Sequence, residues 1–297
     1  MISIVVCHRN LDFLNQFKES VLKTIGVPYE IIIIDNTTNK YNIFQAYNLG
    51  FSQCRYDIIC FSHEDIIFHT QNWGQKVIEH FDDPKTAIIG IAGSHFVPKL
   101  PGGHWSSQIA SGKVIHTVDG KTIIEKSNYS GTGESSVQAV IIDGLWMCIP
   151  RRFMNILRFD DITFSGFHCY DSDLCLQAKK LNLDVKIIFN IDIEHFSVGN
   201  RNIGWLENIF NLYEKWRSEL PISSFQLTKA EISHANFYAA QELIEQIRIN
   251  RYGRNKILLI WKYYLALNMP TNRINILLTF RLLNQKLYFR LREILKS

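Results

Sequence analysis

Asp57-Ile58-Ile59-Cys60-Phe61-Ser62-His63-Glu64-Asp65 opens as an apolar run and closes on an imidazole and two carboxylates. An apolar run with no polar alternation predicts a strand over Asp57 to Phe61 that is buried on both faces, as parallel strands are. Two earlier stretches read the same way. Glu30 to Ile34 carries four isoleucines and ends in Asp35-Asn36, and Ile2 to Cys7 ends in His8-Arg9. Between these strands Phe13, Leu14, Phe17, Val21, Leu22 and Ile25 recur at helical spacing, and Gly26 and Pro28 stop that helix. Ile43 to Cys54 is helical as well. A β-α-β-α-β order implies a parallel sheet with right-handed crossovers. Ligands of open parallel sheets bind beyond the carboxyl ends of the strands. That rule gathers His8, Arg9, Asp35, Asn36, His63, Glu64 and Asp65 at one edge.

The remaining chain reads less evenly. Pro98 to Ser136 is rich in Gly, Ser, Thr and Lys, with one hairpin signal at Val118-Asp119-Gly120. It predicts long loops and short edge strands of the kind that cover a substrate. Val137 to Ile142 predicts a strand, followed by Asp143-Gly144 and an apolar run to Ile149. Asp173 to Leu181 predicts a helix, and Val185 to Ile193 a last strand ending at Glu194-His195. Beyond Ile203 the pattern is helical, with breaks near Pro221 and Pro270.

Composition bounds the class. Of 297 residues, 46% are apolar and 20% charged, a globular balance for one large domain with an appendage. His8 and Arg9 close the first apolar run too early for a secretory leader, and no apolar stretch reaches the ~18 residues of a membrane span. The six cysteines form no C-x-x-C pair and no zinc spacing, so buried thiols in a reduced, cytoplasmic setting are expected. From Arg248 onward eleven basic residues face one acid, Glu293, so the tail carries +10 of a net +4 and the body is acidic, at −6.

Three strand-end or helix-start clusters could carry chemistry. Asp65, with His63 and Glu64, could hold a hard divalent cation against a diphosphate, or could simply be a polar turn. Asp171 and Asp173 stand two apart at a helix start, where carboxylates serve as N-terminal caps favoured by the helix dipole. The functional alternative makes one of them a general base. His195 is either a structural histidine or a further metal ligand.

Taken in order, these pieces resemble the family 2 glycosyltransferases, nearest the bacterial branch of streptomycin-biosynthesis glycosyltransferase-like proteins. The likeness runs from about Ile2 to about Trp216. It rests on Glu30 to Asn36, Ala46-Tyr-Asn48-Leu-Gly50, Phe61 to Ile66, Asp143-Gly144-Leu-Trp-Met147, Phe159-Asp160, Gly166 to Leu174, and His195-Phe-Ser-Val-Gly199. The block from Asp143 to Gly199 is specific to the branch. The resemblance implies a GT-A, Rossmann-like α/β fold: a mostly parallel sheet flanked by helices, over residues 1–203, with a basic helical region over 204–297. It implies a nucleotide-sugar donor, UDP-linked, and a glycan or lipid-linked glycan acceptor. Mn2+ or Mg2+ would be held by Asp65 and His195. His8, Arg9, Asp35 and Asn36 would line the nucleoside pocket, and His63 and Glu64 would also belong to the donor-binding set. The segment from Asp143-Gly144 to Met147 would run beside the donor sugar, Asp171 would be the base of an inverting displacement, and Asp173 would support acceptor or backbone placement. His63 stands where many relatives carry the first Asp of D-x-D, which changes the ligand set.

Two other enzyme or binder classes are weaker fits. A sugar nucleotidyltransferase needs a glycine-rich loop after the first strand, and Cys7-His8-Arg9-Asn10-Leu11 has no glycine. A sugar- or partner-binding module without turnover would have no use for Asp65, Asp171 and His195 together. In the tail, apolar residues between Ile274 and Leu295 alternate with Arg and Lys, which suits either an amphipathic helix on an anionic membrane or packing against the body or a second copy. Nucleic acid is not expected, since no recognition motif accompanies the charge.

Overall fold

The computed structural model describes residues 1–128, 134–197 and 199–266. Pro270 and the apolar-cationic run from Ile274 to Leu295 lie outside the described residues.

The first half alternates as expected: β1 (Ile2–His8), α1 (Leu11–Thr24), β2 (Tyr29–Asp35), α2 (Ile43–Gln53), β3 (Ile58–Ser62), β4 (Ile66–Phe68), α3 (Trp73–His80) and β5 (Thr86–Gly90). Both early helices start where side chains satisfy free backbone N–H groups. Asn10 accepts from the Asp12 and Phe13 amides, and Asn42 forms a capping box with Gln45. Gly50 of α2 lies so near β1 that an added Cβ would come within 2.2 Å of Val5 Cγ1.

Next come β6 (Ala92–Ser94), β7 (Phe96–Val97), β8 (Ala110–Val118), β9 (Lys121–Asn128), β10 (Ser136–Ala139), β11 (Ile141–Ile142), β12 (Trp146–Pro150) and α4 (Arg151–Met154). They are followed by α5 (Tyr170–Lys180), β13 (Asp184–Ile188), β14 (Ile193–His195), α6 (Ile203–Trp216), β15 (Ile222–Ser223), α7 (Lys229–Ile249) and α8 (Arg254–Ala266).

Seven strands form the main sheet in the order β10-β13-β5-β12-β3-β1-β2. β1 lies parallel to β2 and β3, and β13 to β5, while β12 runs antiparallel between β3 and β5. Alternation across the sheet is plain in β1: Ile4 and Val6 join one apolar cluster with Leu14, Phe17 and Val21 of α1, and Val5 joins the other with Phe44 and Tyr47 of α2. A second sheet, β11-β6-β8-β14-β4 with β9 on β8, stands beside the first.

Four expectations need correction. The Val137 to Ile142 run is two strands, β10 in the main sheet and β11 in the second. Val185 to Ile193 likewise divides into β13 and β14, one in each sheet. Pro98 to Ser136 carries not short edge strands but a long hairpin, β8–β9, whose Asp119 (φ 50°) and Gly120 (φ 72°) form a two-residue turn with both residues left-handed. Finally, Cys60 and Cys148 stand opposite each other on β3 and β12 and are joined as a disulfide, whereas Cys7, Cys54, Cys169 and Cys175 are free thiols. The expectation of six thiols assumed no cross-strand register, and that register is what brings the pair together.

Candidate active site

The carboxyl ends of β1, β2 and β3 carry His8, Asp35 and, just beyond β3, His63-Glu64-Asp65. Glu64 reaches back to the turn after β1. Its carboxylate accepts from the Arg9 and Asn10 amides at 3.0–3.1 Å and lies 2.9 Å from His8 Nδ1. Asn36 is similarly engaged, clasping Tyr41 through its carbonyl and its N–H. These two expected donor-binding residues hold loops. Asp35 is exposed and opposite His8 in the β1–β2 register, with hydrogen bonds from the Thr37 amide and hydroxyl holding its carboxyl below the usual range. The Arg9 guanidinium, also exposed, donates to Asn39.

Asp65 meets His195 through strand register. Ile66, the first residue of β4, is paired with His195 of β14, and the Phe196 amide donates to the Asp65 carbonyl at 3.0 Å. His195 Nε2 is 3.5 Å from Asp65 Oδ2, and His63 Nδ1 is 3.8 Å from Asp65 Oδ1. One ligand atom from each of His63, Asp65 and His195 lies within 4.8 Å of the others, the spacing of a group that could share a cation.

The protonation states suit one. Burial drives the His63 imidazole down to about 4, against the pull of Asp65, so the ring is neutral near pH 7. Burial alone would push Asp65 up, but the hydrogen bond from His195, the adjacent imidazoles and Ser197 hold its carboxyl well below the usual carboxylate range. An ionised carboxylate and a neutral imidazole are the forms a metal binds. His195 Nδ1 is buried and has no hydrogen-bond partner among the described residues. Two imidazoles and a carboxylate form a mixed N/O set that suits Mn2+ better than Mg2+, which prefers oxygen ligands.

His116 belongs to this neighbourhood and the sequence reading missed it. It is paired with His195 in the parallel β8–β14 register, ring centroids 5.7 Å apart, and its buried Nδ1 has no hydrogen-bond partner among the described residues. Only the alternation of β8 could have signalled it, and that pattern does not say which strand lies alongside.

The first turn of α5 closes the site from the other side. Asp171 Oδ2 accepts from the Gly144 amide at 2.9 Å and Oδ1 from the Ser172 amide at 2.6 Å. The Tyr170 hydroxyl donates to the Gly144 carbonyl at 2.9 Å and lies 2.8 Å from His63 Nε2. Asp143 stands beside His63 and raises its basicity. The side chains of Leu145, Trp146 and Met147 are buried in the core, while the Leu145 carbonyl accepts from the His63 amide at 2.9 Å.

Asp173 points elsewhere. Only 1% exposed, it accepts from Trp216 Nε1, Gln177 Nε2 and Lys215 Nζ, at 2.8–2.9 Å, and Lys215 also reaches Asp160 at 2.7 Å. Its carboxylate joins α5 to α6, and its periodicity on the helix, two residues from Asp171, explains why: the two side chains leave the axis about 200° apart.

A family model described as a glycosyltransferase-like family matches residues 3–213. The solved structure of GalNAc-T7 with UDP, GalNAc and Mn2+ aligns with a TM-score of 0.54 at 10% identity, over 83% of this chain and 51% of that one. At that identity the likeness is one of fold, the GT-A α/β arrangement. A curated protein from Fuscovulum blasticum, described as ATP synthase subunits region ORF 6, is 27% identical over 157 residues, 51% of this chain and 57% of that protein. The chain thus spans little more than half the length of either relative.

Proposed function

This chain belongs to the glycosyltransferase-like family, and from that premise we propose that it transfers a sugar from a UDP-sugar to a hydroxyl of a glycan or lipid-linked glycan, with inversion and with Mn2+. The observation that carries this reading is the group formed by His63, Asp65 and His195 at the carboxyl ends of the parallel strands. A cation held there would offset the charge that develops on the departing diphosphate.

The chain's own residues supply the rest. Asp35, exposed beside His8, accepts hydrogen bonds from the base or ribose. Arg9 offers its guanidinium to the diphosphate. Glu64 and Asn36 hold the two loops on which those groups sit. Asp171, fixed by Gly144 and Ser172, takes the proton of the acceptor hydroxyl as the new bond forms. Holding donor and acceptor in line converts a bimolecular encounter into an oriented one.

The test is a panel of nucleotide sugars offered with and without Mn2+, with products followed by NMR to read the anomer formed. Turnover that needs Mn2+, prefers UDP-sugars and falls at least ~100-fold in Asp171→Asn agrees with the magnitude of a lost general base. Wild-type binding of UDP and Mn2+ with no turnover of any donor would instead leave a sugar-binding module.

A further inference from the structure

The hydroxyl of Tyr170 has one proton and meets the Gly144 carbonyl and His63 Nε2, with the Tyr47 hydroxyl, which carries a proton of its own to donate, as a third polar neighbour. Gly144 offers only a carbonyl oxygen, 2.9 Å away, so the proton goes there. Toward His63 Nε2, 2.8 Å away, the same oxygen can then only accept, and Nε2 must carry the hydrogen. The ring's other nitrogen, Nδ1, is left with its lone pair, 3.8 Å from Asp65 Oδ1. Two acceptors thus face each other with no proton between them.

We propose that Tyr170 is a positioning residue for the metal centre: its hydroxyl fixes His63 as the Nε2–H tautomer and aims the Nδ1 lone pair at the cation. This rests on the metal reading of His63, Asp65 and His195. Ligating histidines depend on such partners for tautomer and orientation. The hydroxyl itself has little freedom. Tyr170 is 4% exposed and packs edge-on against Tyr47 and Phe44, with ring centroids at 5.5 and 6.2 Å. Glycine at 144 is what admits it, since a Cβ there would lie 2.3 Å from the Tyr170 oxygen. The same glycine's amide is held by Asp171, so one residue joins the metal side of the site to the proposed base.

The experiment uses the full chain with Mn2+ alone. Long-range proton–nitrogen NMR of the metal-free protein, with His63 assigned by His63→Ala, should show the Nε2–H form in wild type and a mixture in Tyr170→Phe. Mn2+ titration should then show 10- to 100-fold weaker binding in Tyr170→Phe, the usual effect of removing such a partner. Pulsed electron resonance of bound Mn2+ should show weakened coupling to one of two imidazole nitrogens. Gly144→Ala, which leaves the tyrosine present but displaces its hydroxyl, should reproduce these changes if Tyr170→Phe does not fold. An Nδ1–H form in wild type, or unchanged affinity and coupling in a folded Tyr170→Phe, overturns the proposal alone. Wild-type protein with the expected tautomer but no imidazole-bound Mn2+ overturns the metal reading and this role with it.

Discussion

At the scale of single residues, the site divides into groups that face a ligand and groups that hold those groups still. Glu64 separates the two kinds most sharply. Its carboxylate fills the space between two backbone amides and His8. Glu64→Gln would turn an NH2 toward one of those amides, leaving at least one donor unsatisfied. The expected outcome is a loss of about 1–3 kcal/mol in urea unfolding, with weaker UDP binding and Mn2+ binding in the absence of nucleotide unchanged. A folded variant of wild-type stability that loses only UDP would show that Glu64 touches the donor directly. The sequence named Glu64, Asn36 and Asp65 together because polar residues at strand ends look alike on paper. What tells them apart is which backbone amides they meet, and that depends on loops whose course local pattern does not specify. His116 shows the opposite failure. It carries an apt side chain in a strand of ordinary alternation, and its partner His195 is remote in sequence.

At the scale of elements, the parallel strands were legible because β-branched runs buried on both faces have no polar alternation to blur them. The breaks after Ala139 and between Ile188 and Ile193 were not, because each strand stays apolar while it passes from one sheet to the other. Helix α6 was legible from its periodicity, but its tie to α5 was not. That tie is Lys215, shared by Asp160 and Asp173. Burial pushes Asp173 up, and the hydrogen bonds from Lys215, Trp216 and Gln177 do not fully reverse it. Asp160 is also pushed up by burial, but Lys215 and Thr163 bring it below the usual range. The signs therefore differ. Asp160 contributes stability above its unfolded value that is lost as pH falls toward its folded value. Asp173 is a cost above its raised value that disappears once it is protonated. Lys215→Met should leave Asp173 as a buried charge without its cation and cost about 3 kcal/mol at neutral pH. The difference from wild type should narrow toward about pH 4, as Asp173 takes up a proton and wild type loses the Asp160 contribution. Urea unfolding at both pH values checks this, and a difference independent of pH would mean that Lys215 acts through packing alone.

At the scale of the molecule, described residues on both sides of position 203 share one core. Leu206, Ile209, Phe210, Leu212, Tyr213 and Trp216 of α6, and Leu243, Ile244 and Ile247 of α7, lie in the same apolar cluster as Val5, Phe61 and Leu174. Burial of the six α6 side chains, at about 1.5–3 kcal/mol each, is worth about 9–18 kcal/mol. That equals or exceeds the net stability of about 5–15 kcal/mol of an ordinary domain. A chain ending at residue 203 should therefore show no cooperative thermal transition by circular dichroism, whereas one ending at residue 266 should keep it. The second chain also isolates the basic tail. No described helix is long and apolar enough to cross a membrane, and residues 267–297 lie outside the described residues. Those residues hold six of the eleven tail cations, and each cation near an anionic leaflet contributes about 1 kcal/mol. Sedimentation with phosphatidylserine vesicles should then carry down the full chain at low salt, release it at high salt, and leave the chain ending at 266 in solution. If both chains sediment alike, the attraction resides in the folded body; if neither does, the cations serve packing or self-association, and equal sedimentation-velocity profiles for the two chains would exclude the latter.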